Sequence, residues 1–322
     1  MSGELSDNLR AVADVFGLPG SGPVAKDFYV VQAIKALAAL DAAPFDLLFG
    51  GGTALARAHR IIRRMSEDVD FKIVPRAVAP VSRSALRRQL DRLRPKVSAA
   101  LEAAGFAFDK ADAWARDEGH YAVWLLPYGA ANGAGEGLRP TIKVELNYAP
   151  LRRGTVTLPV RSFVAEAVDR PPEVPALACV SIVETAAEKL VSLTRRTAME
   201  MAGASRDPDP TLIRHVYDLH MMRELVDPAT VANLAQQIAE NDAAQFAHQY
   251  PAYAADIAGE THKALDALRT GRLHRERYDS FVATMVYGER PEFRGAMATV
   301  SGLAALAFSL GGAKEGSGAT RD

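Results

Sequence analysis

The sequence predicts an α+β chain, with a strand-containing N-terminal part to about residue 170 and a helical part after it. Three observations carry this. Short apolar runs of strand length recur between residues 45 and 160, interleaved with helical stretches. Three prolines then fall within five residues (Pro171, Pro172, Pro175) and mark a linker. Beyond them strand patterning gives way to helical spacing.

Each element has its own justification. Residues 24–41 show helical spacing and end before Pro44. "FDLLF" (45–49) is a short apolar run stopped by glycine, as a buried strand would be. "TALARAHRI" reads as a helix that starts at the glycines and carries Arg57 and Arg60. "DVDFKIV" (68–74) alternates and stops at Pro75, which predicts a strand. Residues 82–105 form a helical stretch, with a bend expected at Pro95 and a stop at Gly105. Residues 121–127 and 141–149 are strand-like and flank the glycine-rich "YGAANGAGEGLRP", a long hairpin connection. A further strand is expected over 154–160. Helices follow near 180–200, 210–225, 230–247, 262–270 and 276–286. The organisation is therefore an α/β domain with an N-terminal helical segment (1–170), a helical domain (176–310) and a polar, glycine-rich tail (311–322) expected to be disordered.

Composition excludes several classes. At 48% hydrophobic and 24% charged residues, the chain has the balance of a globular protein. No apolar run is long enough to span a bilayer, and the first residues lack the pattern of a signal peptide, so no membrane partner is expected. The one cysteine, Cys179, allows no internal disulfide, and a cytoplasmic location fits. A net charge of -1 argues against gripping a long polyanion by charge alone. The charge is uneven, however. Arg57–Arg64 holds four arginines and no acid, and Arg76–Lys96 holds seven basic residues against one acid, Asp91. Either run alone is what a solvated helix face shows.

The chemistry concentrates in "LLFGGGTALARAHRIIRRMSEDVDFKI", residues 47–73. A strand ending in glycines and entering a helix exposes backbone N–H groups that attract phosphate. Gly50, Gly51 and Gly52 let backbone approach a phosphate, and Thr53 adds a hydroxyl. By itself, any tight strand-to-helix turn has the same look. Neither the P-loop signature nor the dinucleotide fingerprint is present. Asp68 and Asp70 stand at i and i+2, on one face of the predicted strand. Two adjacent carboxylates repel unless a cation lies between them, and hard oxygen ligands suit Mg²⁺ or Mn²⁺. They could equally be two solvated acids on a sheet edge. In "IKVELNY", Ile142, Val144 and Leu146 alternate with Lys143, Glu145 and Asn147, so Glu145 faces away from the core. Should that strand lie beside Asp68 and Asp70, three carboxylates share one face, the ligand set of a two-metal phosphoryl or nucleotidyl transfer site.

"FGGGTALARAH…SEDVDF", then "IKVEL", then "ETAAEKLVSLTRR", then "RHVYDLHMM" resembles the AbiEii/AbiGii-type toxin nucleotidyltransferases. These include the mycobacterial MenT toxins and belong to the polymerase-β-like nucleotidyltransferase superfamily. The resemblance spans about residues 45–222. It implies a polymerase-β-like domain with a small mixed sheet, followed by a C-terminal helical domain. It implies NTP as substrate, with Gly51, Gly52 and Thr53 at its phosphates and Ser66 at the lip of that site. Asp68, Asp70 and Glu145 would be the metal-binding carboxylates, Lys189 the lysine contacting the triphosphate, and Asp218 the aspartate completing the motif. Asp68, Asp70, Glu145, Lys189 and Asp218 are thus the expected catalytic set. The implied acceptor is RNA, with the tRNA 3′ end foremost, and the implied outcome is arrested translation, with a cognate antitoxin as partner. Arg60, Arg63, Arg64, Arg87, Arg88 and Arg92 are candidates for the RNA backbone. The alternatives are transfer to a protein or small molecule, or a nucleotide-binding module without turnover.

Overall fold

The structure, a computed structural model, describes residues 3–76, 81–129, 138–204 and 209–309. The expected disordered tail, and most of the glycine-rich connection (130–137), lie outside the described residues. The chain forms two compact units: Met1–Ile182 with Thr284–Glu289, and Val183–Ala283 with Arg290–Asp322.

The first unit is built on a seven-stranded sheet. Its strands are β1 (Phe45–Gly50), β2 (Asp68–Pro75), β3 (Ala113–Arg116), β4 (Tyr121–Pro127), β5 (Thr141–Tyr148), β6 (Thr155–Val160) and β7 (Val174–Val180). They lie in the order β3-β4-β5-β2-β1-β7-β6. The pairs β2–β5 and β1–β7 are parallel and the rest antiparallel, so the sheet is mixed. Five strands fall where the sequence predicts them. β3 is only four residues long, too short to show periodicity. β7 is a correction, because it occupies the proline-rich stretch that reads as a linker. Its Pro175 is exposed and lies beside the register shift between Leu158 and Val160, the kind of irregularity that tolerates a missing N–H.

Alternation decides which face is which. Val69, Phe71 and Ile73 of β2, Ala122, Trp124 and Leu126 of β4, and Ile142, Val144 and Leu146 of β5 all enter one core. Against them pack α2 (Ser21–Ala38), through Val30, Ile34 and Leu37, and α4 (Arg83–Ala103), through Leu90, Leu93, Val97 and Leu101. Each such side chain contributes about 1.5–3 kcal/mol on burial. α4 continues through Pro95 as one helix, capped by the Ser82 hydroxyl accepting from the Ala85 N–H. The core thus fixes the register that turns Asp68, Asp70, Lys143 and Glu145 to the opposite face.

Two buried ion pairs hold the approaches to that face. Lys26 of α2 is fully buried and pairs with Glu67, the residue before β2. It also donates to the Arg139 carbonyl (2.6 Å) and the Thr141 carbonyl (3.2 Å), just ahead of and at the start of β5. Arg57 closes α3 (Gly51–Arg57), pairs with Asp27 at 2.7 Å and lies 3.5 Å over the Phe163 ring. α3 is shorter than expected, because Arg60 takes a left-handed conformation (φ 59°) that ends helical geometry. The chain from there to β2 is tied down by residues 284–289: the Met65 N–H donates to the Met285 carbonyl (2.8 Å), and the Tyr287 N–H to the Arg63 carbonyl (3.0 Å).

Among its described residues the second unit contains helices and no strands. Its main helices are α6 (Ile182–Met201), α7 (Arg214–Met222), α8 (Pro228–Gln245), α10 (Ile257–Thr270), α11 (Arg272–Met285) and α12 (Phe293–Phe308). α8 begins with Asp227 capping the Thr230 N–H at 2.8 Å and with Pro228 at its first position. α12 escapes the sequence reading because its small residues leave no clear polar face: Ala296, Val300, Leu303, Ala304 and Ala307 are all buried. No described helix is long and apolar enough to cross a membrane.

Candidate active site

β1 ends in Gly50, and Gly51 turns the chain with φ +69°. Only glycine fits here, for two reasons. The left-handed conformation disfavours a side chain, and a Cβ on Gly51 would stand 1.9 Å from Asp70 Oδ2. A Cβ on Gly52 would stand 2.4 Å from Arg64 Nη2 and 3.1 Å from Ser66 Oγ. The turn is therefore lined by one carboxylate and one guanidinium, both close against bare backbone.

Thr53 is buried, and its hydroxyl bonds to the Asp68 carbonyl and to Ser66 Oγ (2.8 Å). A threonine has one proton, and the carbonyl can only accept, so the Ser66 hydroxyl donates to Thr53. The Thr53 side chain stitches α3 to the start of β2. Ser66 Oγ lies at the edge of the glycine turn.

The three acids share one sheet face, in unequal settings. Asp70 is the cross-strand partner of Glu145, and Asp68 of Lys143. The Asp68 carboxylate is drawn to Arg139 at 2.6 Å. Glu145 accepts from the Tyr121 hydroxyl of β4 and pairs with Lys143 at 2.8 Å. Burial, then Asp70, then Asp68 push the Glu145 carboxyl up to about 9, outweighing the opposing effect of Arg116. Lys143 is 29% exposed, where water screens its charge. Among the described residues, no three His, Cys, Asp or Glu side chains enclose a metal position as they stand. Asp70 and Glu145 converge, while Asp68 is engaged by Arg139. The donor set nonetheless fits a hard divalent cation: two facing carboxylates, one of which must hold its proton until positive charge arrives.

Lys189 and Asp218 lie in the helical unit, on α6 and α7. Their side chains meet at 2.8 Å, and Asp218 is completely buried. Asp218 is therefore a partner of Lys189, a pairing across two helices that the sequence does not offer. Arg196 pairs with Asp209 at 3.0 Å.

The basic candidates separate. Arg64 is buried and donates to the Met65 carbonyl at 2.9 Å, so it belongs to the glycine turn and not to a solvated helix. Arg60 pairs with Glu166 at 2.6 Å, and Arg63 lies 5.6 Å from the Tyr287 ring. Arg87, Arg88 and Arg92 stand exposed along α4. Sequence reasoning misses Arg139 and Tyr121 altogether and does not reveal that Arg64 lies against Gly52. Tyr121 shares its face with Glu145 through the β4–β5 register, a pairing no single strand reveals.

A family model described as the nucleotidyl transferase AbiEii toxin of type IV toxin–antitoxin systems matches residues 35–299. No curated protein matches. Among solved structures, the chain is similar to MenT4, a nucleotidyltransferase toxin from Mycobacterium tuberculosis, at 17% identity and a TM-score of 0.49, over 93% of this chain and 89% of that one. The family match covers most of the sequence. The chain belongs to the AbiEii nucleotidyltransferase toxin family, and it is a nucleotidyltransferase.

Proposed function

We propose that this AbiEii-family enzyme moves a nucleoside monophosphate from an NTP to the 3′ end of an RNA, tRNA foremost, with Mg²⁺ or Mn²⁺ as cofactor. The observation that carries the reading is the facing pair Asp70–Glu145 beside the Gly51–Gly52 turn. Two carboxyls at that spacing ionise together only when a cation joins them, and the adjacent bare backbone suits a phosphate.

In this reading Gly51 and Gly52 offer backbone N–H groups to the phosphates, and Arg64 lies against Gly52 as a cation for the leaving pyrophosphate. Asp70 and Glu145, joined by Asp68, would hold the divalent ion. That ion supplies charge neutralisation at the triphosphate and acidifies the attacking hydroxyl. Arg139 and Lys143, which now balance Asp68 and Glu145, become cations available to the NTP once the carboxylates have another partner. The proposed role of Lys189, held by Asp218, is to bind the triphosphate as well. The acceptor 3′ oxygen attacks the α-phosphorus, its proton passes to the carboxylates, the bond from the α-phosphorus to the β-phosphate oxygen breaks, and pyrophosphate leaves. Arg87, Arg88 and Arg92 are the proposed partners of RNA phosphates. The family's type IV system implies a cognate antitoxin, and the proposed setting is the cytoplasm.

The test is incubation with α-labelled NTPs, Mg²⁺ and total tRNA. Label in RNA supports the reading. Label in a protein or small molecule transfers the activity to another acceptor. Tight NTP binding without turnover would leave a silent nucleotide-binding module.

A further inference from the structure

The carboxylate face does not end at Glu145. β4 lies beside β5, and β3 forms the sheet edge beyond it. Register carries the same face outward. Val123 is the partner of Glu145, Trp114 the partner of Val123, and Arg116 the partner of Tyr121. Ala113 and Ala115, on the other face of β3, pack against the core, so Trp114 and Arg116 project on the acidic side. Trp114 is 41% exposed, a large aromatic on an edge strand. Its ring lies 5.8 Å from that of Tyr121 at 55°, and the Arg116 guanidinium is 4.3 Å from the Tyr121 centroid and 5.9 Å from the Trp114 centroid. Two aromatic faces and a planar cation thus form one open surface, and Tyr121 ties it to Glu145 by a hydrogen bond.

We infer that Trp114, Arg116 and Tyr121 form a stacking platform for an unpaired nucleobase at the 3′ end of the acceptor RNA. The inference rests on the nucleotidyl-transfer reading above and adds the side from which the acceptor arrives. The glycine turn lies on the β1 side of the carboxylates and the platform on the opposite, β4–β3 side. In-line displacement sets the attacking hydroxyl opposite the leaving pyrophosphate. With pyrophosphate at the glycine turn, the hydroxyl enters over Glu145 from the platform side. The platform is two strand spacings from Glu145, roughly 10 Å, close enough for a base attached to the reacting ribose or to its neighbour. Single-stranded RNA ends are held by stacking on aromatic rings and arginine planes, and positive charge at Arg116 suits the adjoining phosphate.

The chain offers its own probe, since its two tryptophans are Trp114 and the buried Trp124. Titrating the full-length protein with a short single-stranded RNA should quench the exposed tryptophan. The same RNA lacking its 3′-terminal base should quench far less, and Trp114→Phe should lose the signal. In transfer assays, Trp114→Ala should raise the KM for intact RNA about tenfold, from the usual strength of base–aromatic stacking. Its KM for the NTP, and its KM for the RNA lacking the terminal base, should match those of the wild type. Trp114→Phe should recover most of the loss. Wild-type transfer to RNA combined with an unchanged KM in Trp114→Ala overturns the platform and leaves the transferase reading standing. Wild-type label entering only a non-RNA acceptor overturns both.

Discussion

The two units handle charge in opposite ways. In the helical unit, Lys189 and Asp218 bring opposite charges together at 2.8 Å out of water. On the sheet, Asp70 and Glu145 bring two acids together, so that Glu145 keeps its proton, and cations stand beside their neighbours: Arg139 takes Asp68, and Lys143 takes Glu145 from a partly exposed position. Even neighbouring residues divide this way. Glu67 is buried against Lys26 and serves the scaffold, while Asp68 and Asp70, next along the chain, face outward on the acidic side of the sheet. Opposite charges brought together out of water fix a fold. Like charges brought together favour the arrival of a cation.

The largest effect should follow from breaking the like-charged pair. Asp70→Ala is expected to lower transfer by at least about 1,000-fold, the loss of several kcal/mol of transition-state stabilisation. Urea unfolding of the same variant should still be a single cooperative transition, which separates lost chemistry from a lost fold. Full activity in this variant would dismiss the carboxylate reading.

The opposite-charged pair should respond the other way. Asp218→Ala leaves a buried ammonium without its carboxylate and should cost about 3–5 kcal/mol of folding stability. Equilibrium denaturation measures this directly. An unchanged midpoint would mean that the pair contributes nothing to the helical unit.

How far the sequence foretells this contrast depends on range. Alternation along β2 and β5 is legible, because a buried core on one face compels it, and with it the shared face of Asp68, Asp70 and Glu145. Lys189 and Asp218 are legible as residues of the resemblance, but their pairing is not. They are 29 residues apart on two helices, and local spacing relates Asp218 only to its own helix. Arg64 looks like part of a basic helix, since nothing local shows that α3 stops at Arg57 and that Arg64 returns to cover Gly52. β7 is hidden by prolines that a register irregularity accommodates.

Exposed like charges offer a third case. Arg87, Arg88 and Arg92 repel across water, where the cost is small. Replacing all three by alanine should leave stability and NTP affinity unchanged. The salt dependence of RNA binding should flatten by roughly 0.7–0.9 in log–log slope for each RNA phosphate no longer neutralised. An unchanged slope would detach α4 from RNA.

The smallest effect concerns pH. Glu145 has its folded pKa raised from 4.5 to about 9, so between those values the folded state holds a proton that the unfolded state releases. Stability from this group is complete below 4.5 and falls as pH rises toward about 9. Without metal, Glu145→Gln should therefore melt higher than wild type at pH 8, and the gap should close at pH 5. A gap that widens on acidification would reverse the sign assigned to this site.

The most direct test is thermal unfolding of the full chain with and without Mn²⁺, for wild type, Asp70→Ala and Glu67→Gln. The account predicts that Mn²⁺ raises the melting temperature of the wild type and of Glu67→Gln, whose starting stability will be lower, and does nothing for Asp70→Ala. Equal Mn²⁺ stabilisation of Asp70→Ala and wild type would show that the facing carboxylates are not where the cation binds, and the central claim would fail.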